Sequence, residues 1–226
     1  MRHWNWDEMV EANRGRLIGL FAGVLVLLGS GDRVTRIVWR QILARLVPME
    51  SALRRLICVA ARDLIVTLGP ARAGSKATGE RQGSADRAVF ALTDATRAPD
   101  TPPRTVPKAK EPRILFLDEW KPRESVAEPK DDDLLDASAL RRRMAALKAA
   151  LDDLPAQALR LARWLARNER ARKSGARRRL YAIRSGRAPG HRQGGKREVD
   201  EVLAACHELA LRCRDMVERE KRAARG

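Results

Sequence analysis

"RLIGLFAGVLVLLGSGDR", Arg16 to Arg33, carries fifteen consecutive residues without a charge, 17–31. What this stretch packs against decides the architecture. As a helix, fifteen residues rise roughly 22 Å, whereas the hydrocarbon core of a bilayer is ~30 Å thick and takes about 20 apolar residues. Arg16 and Arg33 can snorkel outward at the two ends, and Trp4, Trp6 and Trp39 suit the interfaces. Membrane insertion or close membrane contact is the leading expectation. A second reading buries the helix in the core of the protein itself. A third makes 17–28 the apolar part of a cleaved signal, with Gly29-Ser30-Gly31 small enough to cleave. Against it, Asp7, Glu8 and Glu11 cancel the basic charge that such a leader carries. If the stretch spans, Arg33, Arg36, Arg40 and Arg45 outnumber the basic residues before it. The positive-inside rule then expects a bacterial inner-membrane protein with its C-terminal part in the cytoplasm.

Outward from this stretch the chain divides into three regions. Residues 1–68 read as an apolar to amphipathic, membrane-associated helical region. After the first helix, Val34, Ile37, Val38, Ile42, Leu43 and Leu46 recur at helical spacing, and Pro48 punctuates the chain. Leu53, Leu56, Ile57, Ala60, Leu64, Ile65 and Leu68 form the stripe of a third segment, in which Arg54, Arg55, Arg62 and Asp63 are too many charges for a lipid span. Residues 69–133 hold eight of the eleven prolines and twelve charges of each sign. Proline removes backbone donors and breaks helices, so this reads as a disordered linker. Two short apolar islands interrupt it, "RAVFALTD" (Arg87 to Asp94) and "RILFLDEW" (Arg113 to Trp120), which suit anchoring onto the chain's own helices or docking of a partner. Residues 134–222 read as a basic helical module. Leu140, Met144, Leu147, Leu151, Leu154, Ala158, Leu161 and Leu165 alternate by four and three, as in a coiled-coil seam. Pro155 interrupts the seam, either as a kink in one long helix, which the continuity of the seam favours, or as a stop and restart capped by Asp152 or Asp153. A second seam, Val199, Val202, Cys206, Leu209, Cys213 and Met216, suits an antiparallel hairpin or small coiled-coil-like bundle, or self-association. With aromatics at 4% and charged residues at 33% of 226 residues, the class expected is all-α.

The net charge of +17 is unevenly placed. Residues 134–197 hold eighteen basic and four acidic groups, net +14, and the other regions nearly balance. Arginine, 37 against 9 lysines, pairs two phosphate oxygens with one planar fork. Arg160, Arg163, Arg167, Arg170, Arg172, Lys173, Arg177, Arg178 and Arg179 are therefore the expected polyanion-binding residues, for nucleic acid or anionic lipid. Tyr181 is the one tyrosine of the chain, so no stacking platform of the single-strand type is built here. Three histidines and three cysteines are scattered, and neither a metal site nor a cofactor is expected. Cys58, Cys206 and Cys213 show no disulfide framework; the last two read as core residues. Asp131, Asp132, Asp133 and Asp136 read as carboxylates favourably placed near a helix N-terminus. No P-loop, Rossmann glycine pattern or serine elbow occurs, so no catalysis is expected.

"ALDDLPAQALRLARWLARNERARK" (Ala150 to Lys173) and "GRAPGHRQGGKREVDEVLAACHELA" (Gly186 to Ala210) resemble a group of uncharacterised small Arg-rich bacterial proteins. The resemblance covers about the last third of the chain. It implies a bacterial origin and carries over no activity and no functional residue. The sequence thus points to a non-catalytic membrane-associated protein whose basic module binds an anionic surface or a protein partner. The alternative is a soluble nucleic-acid-binding protein with the N-terminal helices as its core.

Overall fold

The computed structural model describes residues 5–69, 89–94, 130–176, 181–184, 186–192 and 194–223. Five helices and one two-stranded ladder occupy them: α1 (Trp6–Leu28), β1 (Arg33–Thr35), α2 (Arg36–Ala60), β2 (Leu134–Asp136), α3 (Ser138–Asp152), α4 (Leu154–Lys173) and α5 (Glu198–Ala223). The mainly helical class expected from composition is what forms. Most of the proline-rich stretch and the 113–120 island lie outside the described residues.

Local chemistry sets the helix ends. The Asn5 side chain accepts the Glu8 amide at 3.3 Å while the Glu8 carboxylate accepts from Asn5 Nδ2 at 3.0 Å, a reciprocal cap. Gly29, at φ +59°, turns the chain out of α1 in a conformation that a side chain disfavours. The Asp136 carboxylate receives both the amide and the hydroxyl of Ser138 at the start of α3, which holds it below the usual carboxylate range. Asp153 accepts the Ala156 amide at 3.1 Å, with Pro155 in the first turn of α4. At Pro155 the chain therefore stops and restarts. At Pro48 it does not stop: α2 runs through the proline in one helix.

α2 is the hub, packed against α5, α1 and α4. One hydrophobic cluster draws on all five helices and takes in Phe90, Ala182, Ile183 and Ala188. Both seams are buried in it: Leu140, Met144, Leu147, Leu151, Leu154, Ala158 and Leu161 on one side, Val199, Val202, Cys206, Leu209 and Cys213 on the other. β1 and β2 pair antiparallel, Val34 opposite Leu135, and return the chain beside the start of α2 after the long excursion between them.

This packing corrects the leading expectation for 17–31. Among the described residues no helix is long and apolar enough to cross a membrane. The physical reason lies in α1 itself: Leu17, Phe21, Val24 and Leu28 are buried against protein, not left for lipid. The transmembrane helix, the membrane-associated role and the inner-membrane placement with a cytoplasmic C-terminal part are all overturned by it. The N-terminal helices pack into the core they share with α3, α4 and α5 instead.

Candidate functional site: a basic ridge and a buried arginine centre

α4 carries all six of the expected polyanion-binding residues that are described. Its Leu154, Ala158, Leu161 and Ala162 face the core, so Arg160, Arg163, Arg167 and Arg170 recur along another side. Their surroundings differ. Arg163 and Arg172 are exposed, and their guanidinium groups make no ion pair or hydrogen bond among the described residues. Arg167 is exposed and, among the described residues, donates only to the Arg163 carbonyl, at 3.2 Å. Lys173 lies 3.9 Å from Glu169, an exposed pair along the helix. Arg170 donates to the carbonyls of Leu68 and Gly69, each at 2.8 Å. Arg160 is half-buried, bonded to Gln157 and to the Phe90 carbonyl, and burial pulls it below the usual arginine range. These two arginines thus hold neighbouring backbone, although carbonyl partners leave their charge uncompensated. Arg177, Arg178 and Arg179 lie outside the described residues.

A second centre, which sequence reasoning missed, is buried in the core. Arg54 and Arg55 are buried on α2, not displayed on a polar face. Arg55 Nη2 donates to Asp94 Oδ2 at 3.1 Å, and Arg54 Nε donates to Asp94 Oδ1 at 3.1 Å. Arg55 also donates to the Ser51 carbonyl at 2.8 Å, the Ser51 hydroxyl at 2.7 Å and His207 Nδ1 at 2.9 Å. Asp94 ends the first apolar island. Its amide donates to the Ala182 carbonyl at 2.9 Å and its carboxylate accepts the Arg184 amide at 3.2 Å. Burial alone would push the Asp94 carboxyl up. The charge and hydrogen bonds of Arg55, the Arg184 amide and the charge of Arg54 outweigh it and hold the group below the carboxylate range. One buried carboxylate thus ties 89–94 and 181–184 to α2. Phe90 packs in the core beside it, with Arg54 5.9 Å from the ring centre. The one available signal was an apolar run ending in a lone acid, opposite an Arg-Arg pair within an apolar helix.

The remaining chemistry-bearing residues are accounted for by packing. Burial pushes the Cys58 and Cys206 thiols up to about 12 and Cys213 to about 11, so none is a ready nucleophile. Among the described residues no three His, Cys, Asp or Glu side chains gather as a metal site would need. Asp131 and Asp133 pair with Arg40 at 2.9 Å and Arg36 at 3.5 Å. The Tyr181 hydroxyl bonds Glu218, and Arg214 lies 5.9 Å from the centre of its ring. A groove of about 450 Å³ between α2 and residues 190–192 is lined by Arg40, Leu43, Ala44, Val47, Pro48, Gly190 and Arg192, with no carboxylate among them. No protein-family model, curated protein or solved structure matches this chain.

Proposed function

We propose that this chain is a non-catalytic nucleic-acid-binding protein that grips the phosphate backbone of a duplex through the basic side of α4 and the arginine run that follows it. One observation carries the reading: Arg163, Arg167 and Arg172 stand exposed without a carboxylate partner among the described residues, in the region that holds almost all of the excess positive charge. Cations so placed gain most from a polyanion, because binding releases its condensed counterions. Two features favour a duplex over a single strand. The sole tyrosine is engaged by Glu218 and Arg214, and the ridge offers guanidinium groups rather than rings for bases to stack on.

The test is fluorescence anisotropy of a labelled DNA duplex titrated with full-length chain at several salt concentrations. Affinity falls as salt rises, with a log–log slope of about −0.9 for each phosphate contacted. The triple variant Arg163→Ala, Arg167→Ala, Arg172→Ala makes that slope shallower by about 2 to 3. Absence of binding at low salt overturns the proposal. So does binding to phosphatidylserine vesicles without binding to DNA.

A further inference from the structure

The groove between α2 and residues 190–192 is shaped by two departures from ordinary backbone chemistry. Pro48 sits inside α2, where its missing N–H and the bulk of its ring work against a helix. Gly190 holds φ +81°, and a Cβ there would come within 2.8 Å of the Pro48 nitrogen. Departures of this kind concentrate at functional sites. What they shape here has a volume of about 450 Å³, inside the ~300–1,000 Å³ range of small-molecule pockets. Its floor is aliphatic: Leu43, Ala44, Val47 and Pro48. The Ala44 carbonyl, which Pro48 leaves without a helical donor, accepts from Arg197 Nη1 at 2.9 Å, so the floor presents hydrocarbon rather than an unmet acceptor. Among the described lining residues there is no aromatic ring for a base or other flat ring to stack on. Two arginines complete the lining, Arg40 from α2 and Arg192 from the loop. Arg40 Nη1 bonds Asp131 at 2.9 Å, an exposed pair of the weak kind. Arg192 is exposed, and its guanidinium makes no ion pair or hydrogen bond among the described residues. Its charge acts on Asp200, but Arg197 already engages both oxygens of that carboxylate, each at 2.8 Å.

We infer that this groove binds a small aliphatic monocarboxylate, its chain laid on Leu43, Val47 and Pro48 and its carboxylate held by Arg192, with Arg40 adding positive charge. Each part of the ligand answers a part of the lining. An aliphatic floor with its one orphaned carbonyl satisfied takes a hydrocarbon body without stranding a polar group. A guanidinium fork matches the two oxygens of a carboxylate in one plane. The charge also fits. Asp131 offsets Arg40 and leaves Arg192 uncompensated, so one negative charge is what the groove balances. A phosphate dianion would bring a second charge with no second open cation to meet it. Neither Asp131 nor Asp200 is among the lining residues. The inference does not rest on the nucleic-acid reading: the groove shares no residue with the basic side of α4, so either site can fail while the other stands.

The test is isothermal titration calorimetry of the full-length chain with sodium octanoate at low salt, joined by saturation-transfer NMR to read weak binding. Octanoate is expected to bind at one site. From butanoate to octanoate, each added methylene tightens binding, by up to roughly fourfold where it is fully buried. Acetate, without the chain, and 1-octanol, without the charge, bind at least about tenfold more weakly than octanoate. Arg192→Ala removes an exposed side chain that holds nothing else among the described residues, and it weakens octanoate at least about tenfold while circular dichroism stays unchanged. Val47→Glu sets a carboxylate into the groove and weakens octanoate as much. The triple variant Arg163→Ala, Arg167→Ala, Arg172→Ala binds octanoate as the parent does. Absence of octanoate binding at low salt overturns the inference. So does 1-octanol that binds as tightly as octanoate, binding that survives both Arg192→Ala and Val47→Glu, or binding that the triple variant abolishes.

Discussion

His207 Nδ1 accepts the Arg55 Nε hydrogen bond at 2.9 Å, which it can do only as neutral imidazole. Burial first, then the charge of Arg55, hold its pKa below the ordinary value; His191 and Arg214 push the same way and Asp94 opposes them. The unfolded chain, whose histidine titrates near ~6.5, therefore binds more protons than the folded one as pH drops past that value. The stability from this pair is fully present above pH ~6.5 and is lost as pH falls through the lowered folded pKa. Urea midpoints measured between pH ~7 and ~5 should decline, and His207→Asn, whose Oδ1 still accepts from Arg55, should flatten that decline. A variant profile as steep as the parent's would place the titration elsewhere. The same scale separates lipid from core in the opening stretch. Leu17 is fully buried and its neighbour Ile18 is 44% exposed. Leu17→Ala should lower unfolding free energy by about 2–5 kcal/mol, and Ile18→Ala by less than about 1. Equal effects in chemical denaturation would deny that the core is what this stretch meets.

At the scale of elements, arginine is a stapling residue as well as a charge. Arg14 donates to the Leu151 carbonyl at 2.7 Å at the C-terminal end of α3, Arg141 to the carbonyls after α1, and Arg170 to those of Leu68 and Gly69. Arg14 meets an acceptor that the end of a helix leaves open, and the other two hold carbonyls of the chain that follows α1 and α2. The most informative case is α2. Proline has no N–H, so Pro48 leaves the carbonyl of Ala44 without its helical partner. Arg197 Nη1 donates to that carbonyl at 2.9 Å from 153 residues away. Gly190, at φ +81°, lies so close that a Cβ there would come within 2.8 Å of the Pro48 nitrogen. The helix tolerates its proline because the loop before α5 docks on it. A double-mutant cycle should show this: Arg197→Ala costs more in the parent than beside Pro48→Ala, with a coupling of about 1 kcal/mol. Additive effects would mean that the bond adds nothing to stability. Sequence reading expected a break at Pro48 and favoured a kink at Pro155, and the structure reverses both. Asp153 supplies a cap three residues from its partner amide, whereas the donor that rescues Ala44 is remote in sequence and no local pattern reveals it.

Across the whole molecule, apolar periodicity was legible and its partners were not. The stripes through 140–161 and 199–213 are buried as their spacing implies, yet spacing does not say that both meet in one core around α2. The charge of α4 was legible too. That Arg160 and Arg170 turn toward backbone carbonyls while Arg163 and Arg172 stay open depends on where 68–69 and 89–94 come to lie. The Arg54–Arg55–Asp94 centre binds the same argument together, since it fastens a segment between the N-terminal and C-terminal helices to both. A basic module that owes its core to α2 should not fold alone. Residues 130–226 expressed without the rest should show low helicity and no cooperative thermal transition, because their seams would lie open to water. Adding residues 1–94 in trans should restore both, and Asp94→Ala in that fragment should weaken the restoration, because it leaves Arg54 and Arg55 buried without their carboxylate. A cooperative melt from 130–226 alone would mean that the C-terminal helices hold a core of their own and that α2 only leans against it.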